Sequence, residues 1–288
     1  MTYDGSMAQA QTQIGRVDVI VPTYQETERL ERAIASAVTQ GNLVSRIHVL
    51  DDGSETNVAK VLTERYSGAA NVVLTLLGHT GLPGKLRQLA LVECNAEWVA
   101  FLDADDYWKP NKLSRQLDLA KHHKLDMVFT NATEVSVPSG NTKAYFPVGV
   151  LNNPIHLFDL LKKNLVVNSS VLVKREALLS VGGVACSKFV HGAEDYATWL
   201  RIAAVGKIGV LDEELVVYEK SSDSFSRKER RYPQVRGLVD FLFWTSSQAA
   251  RISGAGSLKL RSEILSAIAQ IIIVKPLKTR VSRMLLRK

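Results

Sequence analysis

The first hundred residues alternate short β-branched apolar runs with amphipathic stretches, and that alternation leaves few folds open. Val17–Val21 (VDVIV) reads as a buried strand ending at Pro22. A helix follows, with Leu30, Ile34 and Val38 recurring every four residues and a stop near Gly41. Ile47–Leu50 predicts a second strand, Val58–Tyr66 a helix, Val72–Leu77 a third strand, Leu86–Cys94 a helix and Trp98–Leu102 a fourth strand. Strands joined by helices through short connections must run parallel, with the helices covering both faces, because a parallel pair needs a crossover. The expected class is α/β.

After Pro110 the rhythm changes. Asn111–His123 and Ala193–Val205 predict helices, as does Arg175–Val181, which stops at Gly182-Gly183. Met127–Val137, Asn168–Lys174, Gly209–Leu211 and Leu215–Tyr218 predict strands. From Pro233 the pattern is helical, broken at Gly254 and Gly256 and again at Pro276. The 46% hydrophobic and 23% charged composition of 288 residues supports a large buried core and excludes a disordered or disulfide-stapled chain. Cys94 and Cys186 form no framework, which fits a reducing, cytoplasmic setting. The polar stretch Met1–Gly15 lacks an apolar core and reads as a loose tail, not an export signal. Nothing approaches the 18 or so apolar residues of a spanning helix.

In open parallel sheets ligands bind beyond the carboxyl ends of the strands. The residues there are Pro22-Thr23-Tyr24-Gln25-Glu26, Asp51-Asp52-Gly53-Ser54 and Asp103-Ala104-Asp105-Asp106. They predict one crevice with two carboxylate-rich walls. No GxxxxGK[ST] or GxGxxG follows a strand, so the backbone phosphate cradles of P-loop and nicotinamide enzymes are missing. An acidic crevice repels phosphate unless a divalent cation stands between them. Asp103 and Asp105, two apart at a strand end, suit that task, although an acidic triplet there also serves to cap the next helix. His122, His123 and His191 lack HExxH or paired-ligand spacing, so zinc is not expected. Cys94 has no neighbouring histidine in the sequence to mark it as a nucleophile. Trp98, Trp108 and Trp199 read as core or crevice wall.

Four segments in order resemble family-2 glycosyltransferases of the GT-A fold: VDVIVPTY at 17–24, DDGS at 51–54, AFLDADDYW at 100–108 and GAEDYATWLR at 192–201. The resemblance covers roughly Val17 to Ser226. It implies a mostly parallel central sheet flanked by helices, with a C-terminal helical extension. It also implies transfer of a sugar, with inversion, from a nucleoside diphosphate, UDP favoured, to an acceptor hydroxyl in polysaccharide or glycolipid synthesis. By the same resemblance Pro22, Thr23, Tyr24 and Glu26 border the nucleotide, Tyr24 near the base, and Asp52, with Asp51, meets the base or ribose. Arg87 contacts the nucleotide or diphosphate. Asp103, Ala104 and Asp105 bind the nucleotide sugar, and Asp105 with Asp103 ligates Mn2+ or Mg2+. Asp195 is the expected general base, with Glu194 orienting. The strand-end turn, an Asx turn at Asp52 and helix capping by Glu194 and Asp195 are the structural alternatives.

Two departures stand out. Where the family shows an Arg-Asn pair before a Gly, this chain reads Arg87-Gln88-Leu89-Ala90, and Ser221 takes the place of a histidine that completes the metal shell in many relatives. They motivate an alternative, a nucleotide-sugar-binding protein without catalysis. The expected organisation is a tail at 1–14, a nucleotide-sugar half at 15–110, an acceptor half at 111–226 and a basic helical extension at 227–288. Net charge is +7, and residues 251–288 alone carry +8. A basic appendage on a near-neutral body predicts an anionic membrane surface, with a lipid-linked acceptor, as partner rather than nucleic acid. Arg227, Lys228, Arg230 and Arg231 are further expected contacts for the diphosphate.

Overall fold

In a computed structural model of the chain, the described residues are 16–66, 68, 71–137, 139–147, 149–151, 153–220, 233–248 and 255–274. The expectations for Met1–Gly15, Ser221, Arg227–Arg231 and the basic residues from Lys275 onward lie outside them.

The predicted alternation is realised: β1 (Val17–Thr23), α1 (Glu28–Val38), β2 (Val44–Asp51), α2 (Thr56–Tyr66), β3 (Val72–Leu76), α3 (Pro83–Glu93) and β4 (Trp98–Phe101). There follow β5 (Tyr107–Trp108), α4 (Lys112–His123), β6 (Met127–Ser136), β7 (Thr142–Ala144), α5 (Leu157–Lys162) and β8 (Leu172–Lys174). The chain then forms α6 (Arg175–Ser180), α7 (Glu194–Val205), β9 (Ile208–Lys220), α8 (Pro233–Ser247) and α9 (Ala255–Ala269). Among the described residues the strands make one sheet in the order β3-β2-β1-β4-β8-β6-β9-β5, with β7 on β6.

The parallel expectation holds through β3-β2-β1-β4, where β1, β2 and β3 are each followed by a crossover helix. Beyond β4 the sheet is mixed. β8 runs antiparallel to both β4 and β6, β6 and β9 are parallel, and β5 returns antiparallel on β9. Strand alternation divides the sheet's side chains between two cores. Ile20, Leu50, Val99 and Phe101 pack with Leu86, Leu91 and Trp199 on one face, while Val19, Val21, Val49 and Ala100 pack with Leu30, Ile34 and Leu113 on the other. In α1 the buried stripe is Leu30, Ala33, Ile34 and Ala37, so Val38, expected inside, is exposed.

The two short strands expected at 209–211 and 215–218 are one strand, β9. Its polar middle bulges against β6, with Asp212, Glu213 and Leu215 falling between ladder partners, and its acids are held by other polar groups instead. Asp212 accepts from the Asn131 amide (2.9 Å) and the Gly149 N–H (2.8 Å), and Glu214, beside the bulge in β9, accepts from the Thr133 hydroxyl (2.6 Å). Residues 168–170, expected to open a strand, form a 3-10 turn ahead of β8. Gln116 of α4 holds that turn by donating to Ser170 O (2.9 Å) and Val128 O (2.8 Å). The C-terminal helices pack on the body through Leu238, Phe241 and Ile264, and the expected break falls between α8 and α9, with Gly256 the second residue of α9 and Gly254 outside the described residues. No helix of the described residues is long and apolar enough to cross a membrane.

Candidate functional site

A crevice of about 790 Å³ opens at the carboxyl ends of β1, β2 and β4, where the strand pattern predicted it. Pro22, Thr23, Tyr24, Glu26, Asp52, Arg87, Asp103, Ala104, Asp105, Glu194 and Asp195 all line it. Asp51 does not. It is 1% exposed, and its carboxylate accepts both the backbone N–H (3.0 Å) and the hydroxyl of Ser54, closing the turn after β2.

Asp52 anchors the first wall. Its carboxylate accepts the Thr80 N–H (2.9 Å), the Thr80 hydroxyl (2.9 Å) and the Gly81 N–H (2.8 Å), which fixes the loop ahead of α3. That loop brings His79 against Tyr24, with ring centroids 4.4 Å apart. The approach requires Gly53: its φ is +75°, and a Cβ there would sit 2.4 Å from the His79 backbone nitrogen. The sequence reading missed His79, because a loop histidine outside any period or motif carries no local signal.

The floor is ionic. Arg87 on α3 is 7% exposed and reaches the Asp103 carboxylate at 2.5 Å. Burial works against its charge, but Asp103, Glu194 and Asp195 outweigh burial and hold the guanidinium above its usual range. Gln88, the next residue, turns away: its side-chain oxygen accepts the Val184 N–H (2.7 Å) behind the Gly182-Gly183 turn. Asp103 also accepts from the Asn168 amide (2.9 Å), and its own N–H donates to the Ser169 hydroxyl (3.0 Å). Asn168 is a second residue the sequence reading missed, since the run from 168 to 174 was read as strand.

Asp105 and Asp106 divide the remaining work. Asp106 is fully buried and structural, accepting the Ser169 hydroxyl (2.5 Å) and the Glu219 N–H (3.1 Å). Burial raises its carboxyl well above the usual range, and the charges of Asp105 and Asp103 raise it further. Asp105 faces the crevice, and its carboxyl is raised by burial and then by Asp103. Two crowded carboxylates, one of them penalised for its charge, form a donor set that fits a hard divalent cation.

The opposite wall is the N-terminus of α7. Glu194 and Asp195 stand in its first turn, where the helix dipole favours negative charge. The N-cap itself is Ala193, which offers no side-chain cap. Gly84 permits the close approach of α3, since a Cβ there would lie 3.0 Å from Glu194 Cβ and 2.7 Å from Ala185 O. One Asp195 oxygen accepts the Tyr196 N–H at 2.7 Å. Burial pushes the Asp195 carboxyl up to about 6, and Glu194 adds to the push, against the Tyr196 N–H and Arg87. At neutral pH Asp195 is therefore an ionised carboxylate of raised basicity, open to the crevice. Glu194 is buried, and its Oε2 has no hydrogen-bond partner among the described residues.

The family model described as Glycosyl transferase family 2 matches residues 18–178, more than half of the chain. The chain belongs to that family. An uncharacterized glycosyltransferase of Nostoc is 31% identical over 123 residues, and the match spans 40% of this chain and only 38% of that relative's length. An Escherichia coli protein, UDP-Glc:alpha-D-GlcNAc-diphosphoundecaprenol beta-1,3-glucosyltransferase, is 27% identical over 226 residues, covering 78% of this chain and 85% of its own. The solved structure of Staphylococcus aureus TarS 1-349 in complex with UDP-GlcNAc superposes with a TM-score of 0.68 at 19% identity, covering 88% of this chain and 73% of the other. The likeness to TarS shows the GT-A fold, which the crossover half of the sheet and its C-terminal helices already display.

Proposed function

We propose that this glycosyltransferase moves a sugar from a nucleoside diphosphate to a hydroxyl of a lipid-linked or polymeric glycan, in a single displacement with inversion, during cell-surface polysaccharide or glycolipid synthesis. The observation that carries the reading is one crevice with Asp52 at one end, Asp103 and Asp105 on its floor and Asp195 on the far wall. In this reading residues 15–110 hold the donor and 111–226 shape the acceptor side. Tyr24 and His79 border the base, with Pro22, Thr23 and Glu26 beside it. Asp52 contributes through the loop it anchors, and Arg87 reaches toward the diphosphate. A uridine donor is favoured by the nucleotide named for the E. coli relative and by the ligand bound to TarS.

Asp103 and Asp105 would hold Mn2+ or Mg2+, which, when bound, supplies positive charge to the diphosphate. The chain's own residues do the rest. Arg87 holds Asp103 in place through its 2.5 Å contact. Asp195 accepts the proton of the attacking hydroxyl, with Glu194 orienting the acceptor. One carboxylate is enough, because displacement on the opposite face of the sugar needs no covalent nucleophile. Gln88, one motive for an inactive binder, supports no such reading, since it pins the turn at Gly183 outside the crevice.

A position on the cytoplasmic face of a membrane suits a lipid-linked acceptor. Support comes from α9 and its continuation, where Leu258, Leu265 and Ile272 recur every seven residues and are 73%, 55% and 45% exposed. The function is tested by incubating the protein with UDP-sugars, Mn2+ and undecaprenyl-diphosphate-linked acceptors and following product by mass spectrometry. A glycosylated acceptor, lost in Asp195→Ala, is expected. Donor binding without hydrolysis or transfer on any acceptor would favour the non-catalytic binder.

A further inference from the structure

A second cluster of chemistry lies at the opposite end of the sheet. Asp18 near the start of β1, His48 in β2 and Cys94 just after α3 are each buried, and their ligating atoms lie within 4.8 Å of one another. The register explains the meeting. Ile20 pairs with His48 across the parallel strands, and Asp18 is two residues from Ile20, so both side chains point to the face covered by α3. Cys94 closes α3 on that same face, its N–H bonded to Ala90 O at 3.1 Å. The cysteine that lacks a histidine beside it in the sequence thus has one beside it in the fold.

Asp18 is held firmly but only half used. Its Oδ2 accepts the N–H groups of Asn95 (2.7 Å) and Ala96 (2.9 Å), whereas Oδ1 has no hydrogen-bond partner among the described residues. His48 Nε2 is likewise without one. Asp18 is 1% and His48 4% exposed, so water does not satisfy these atoms in bulk. Buried polar atoms are almost always paired, and two orphans facing a buried sulfur need an explanation. A carboxylate–imidazole hydrogen bond would be the simplest, but the two atoms are not so bonded here. The charged groups nearby are Arg46 on β2, Glu93 at the end of α3 and Arg175 after β8.

We propose that Asp18, His48 and Cys94 form a structural Zn2+ site that clips β1, β2 and the α3–β4 connection together. A carboxylate oxygen, an imidazole nitrogen and a thiolate are the ligand types zinc takes, and its tetrahedral shell needs one more donor, which a water supplies. Binding replaces the Cys94 S–H bond by an S–Zn bond and releases that proton to solvent, while His48 binds as the neutral ring. Magnesium and manganese prefer all-oxygen shells, so this site and the crevice select different ions. They are also well separated. Asp18 pairs with Val99, and Asp103 lies four residues further along the chain, roughly 13 Å away at about 3.3 Å per residue.

The test uses the full chain without a purification tag, stripped with chelator and titrated with Zn2+ and with Co2+. One equivalent of metal should bind, raise the melting temperature by several degrees and, with Co2+, give thiolate-to-cobalt charge-transfer absorption. Cys94→Ala and His48→Gln should lose the charge-transfer band and the melting shift, Asp18→Asn should weaken binding at least tenfold, and Asp105→Ala should bind as the unmodified chain does. No bound metal, a cobalt spectrum without the thiolate band, or binding that survives Cys94→Ala and fails in Asp105→Ala overturns the proposal. The cobalt spectrum of the unmodified chain decides even if a variant does not fold, and no result bears on glycosyl transfer.

Discussion

Replacing Asp195 by asparagine separates what the fold wants from what the reaction wants. The carboxyl rises from 3.8 in the unfolded chain to about 6 in the folded one, chiefly through burial. Below 3.8 both forms hold the proton and nothing differs. Between 3.8 and 6 the unfolded chain has released it while the native protein keeps it, so stability contributed by this group falls as pH rises through that window. Above it the full penalty stands. Two pK units correspond to about 3 kcal/mol, and the opening of the side chain to the crevice reduces this to about 2 kcal/mol. Asparagine keeps an oxygen for the Tyr196 N–H and carries no charge to bury. At pH 7.5, without donor, Asp195→Asn should therefore melt about 5 °C above the unmodified protein, and the difference should close by pH 4. Transfer should fall roughly 100- to 10,000-fold with donor KM little changed, as removal of a general base requires. Differential scanning fluorimetry across pH and a nucleoside diphosphate release assay read the two effects. A variant that is less stable at pH 7.5, or that retains its turnover, refutes the reasoning.

Other perturbations follow from the same geometry. Arg87→Ala leaves Asp103, Glu194 and Asp195 facing one another without their buried cation; it should cost about 3 kcal/mol in urea unfolding and weaken donor binding in calorimetry. Gly53→Ala places a methyl against the His79 backbone at a positive φ, so it should cost more than about 1 kcal/mol and raise donor KM by displacing the loop that Asp52 holds. Lys112 is fully buried against the Trp108 ring and Gln116, and burial pushes its amine well below the usual range. Because the unfolded chain binds the proton that the native one lacks, its penalty shrinks as pH rises toward 10.5. Lys112→Met should accordingly raise the melting temperature at pH 7 and gain less at pH 10.

The N-terminal half was legible because its signals are local. Strand and helix periods and acids at three strand ends are all read within ten residues, although β1 runs through Pro22 to Thr23 instead of ending at the proline. The four motif segments carried the family and the residues that meet in the crevice. What escaped depends on distant partners. β9 looked like two strands because the acids in its middle are satisfied by Asn131 and Thr133, some eighty residues earlier. Asp51 and Asp52 are adjacent and chemically alike, yet one closes a turn and the other lines the crevice. No spacing rule separates them. Lys112 stands at a helix start, where nothing in the local sequence marks a lysine for burial. His79 and Asn168 enter the site through loop contacts that leave no periodic trace.

In the proposed reading the acidic crevice grips the diphosphate of a nucleotide sugar through a divalent cation on Asp103 and Asp105. Isothermal titration of UDP and UDP-sugars into the protein, in Mn2+ and again in chelator, tests it most directly. Saturable binding in Mn2+ that is lost in chelator and in Asp105→Ala is the expected result. Binding of equal affinity with and without metal, unaffected by Asp105→Ala, would contradict it.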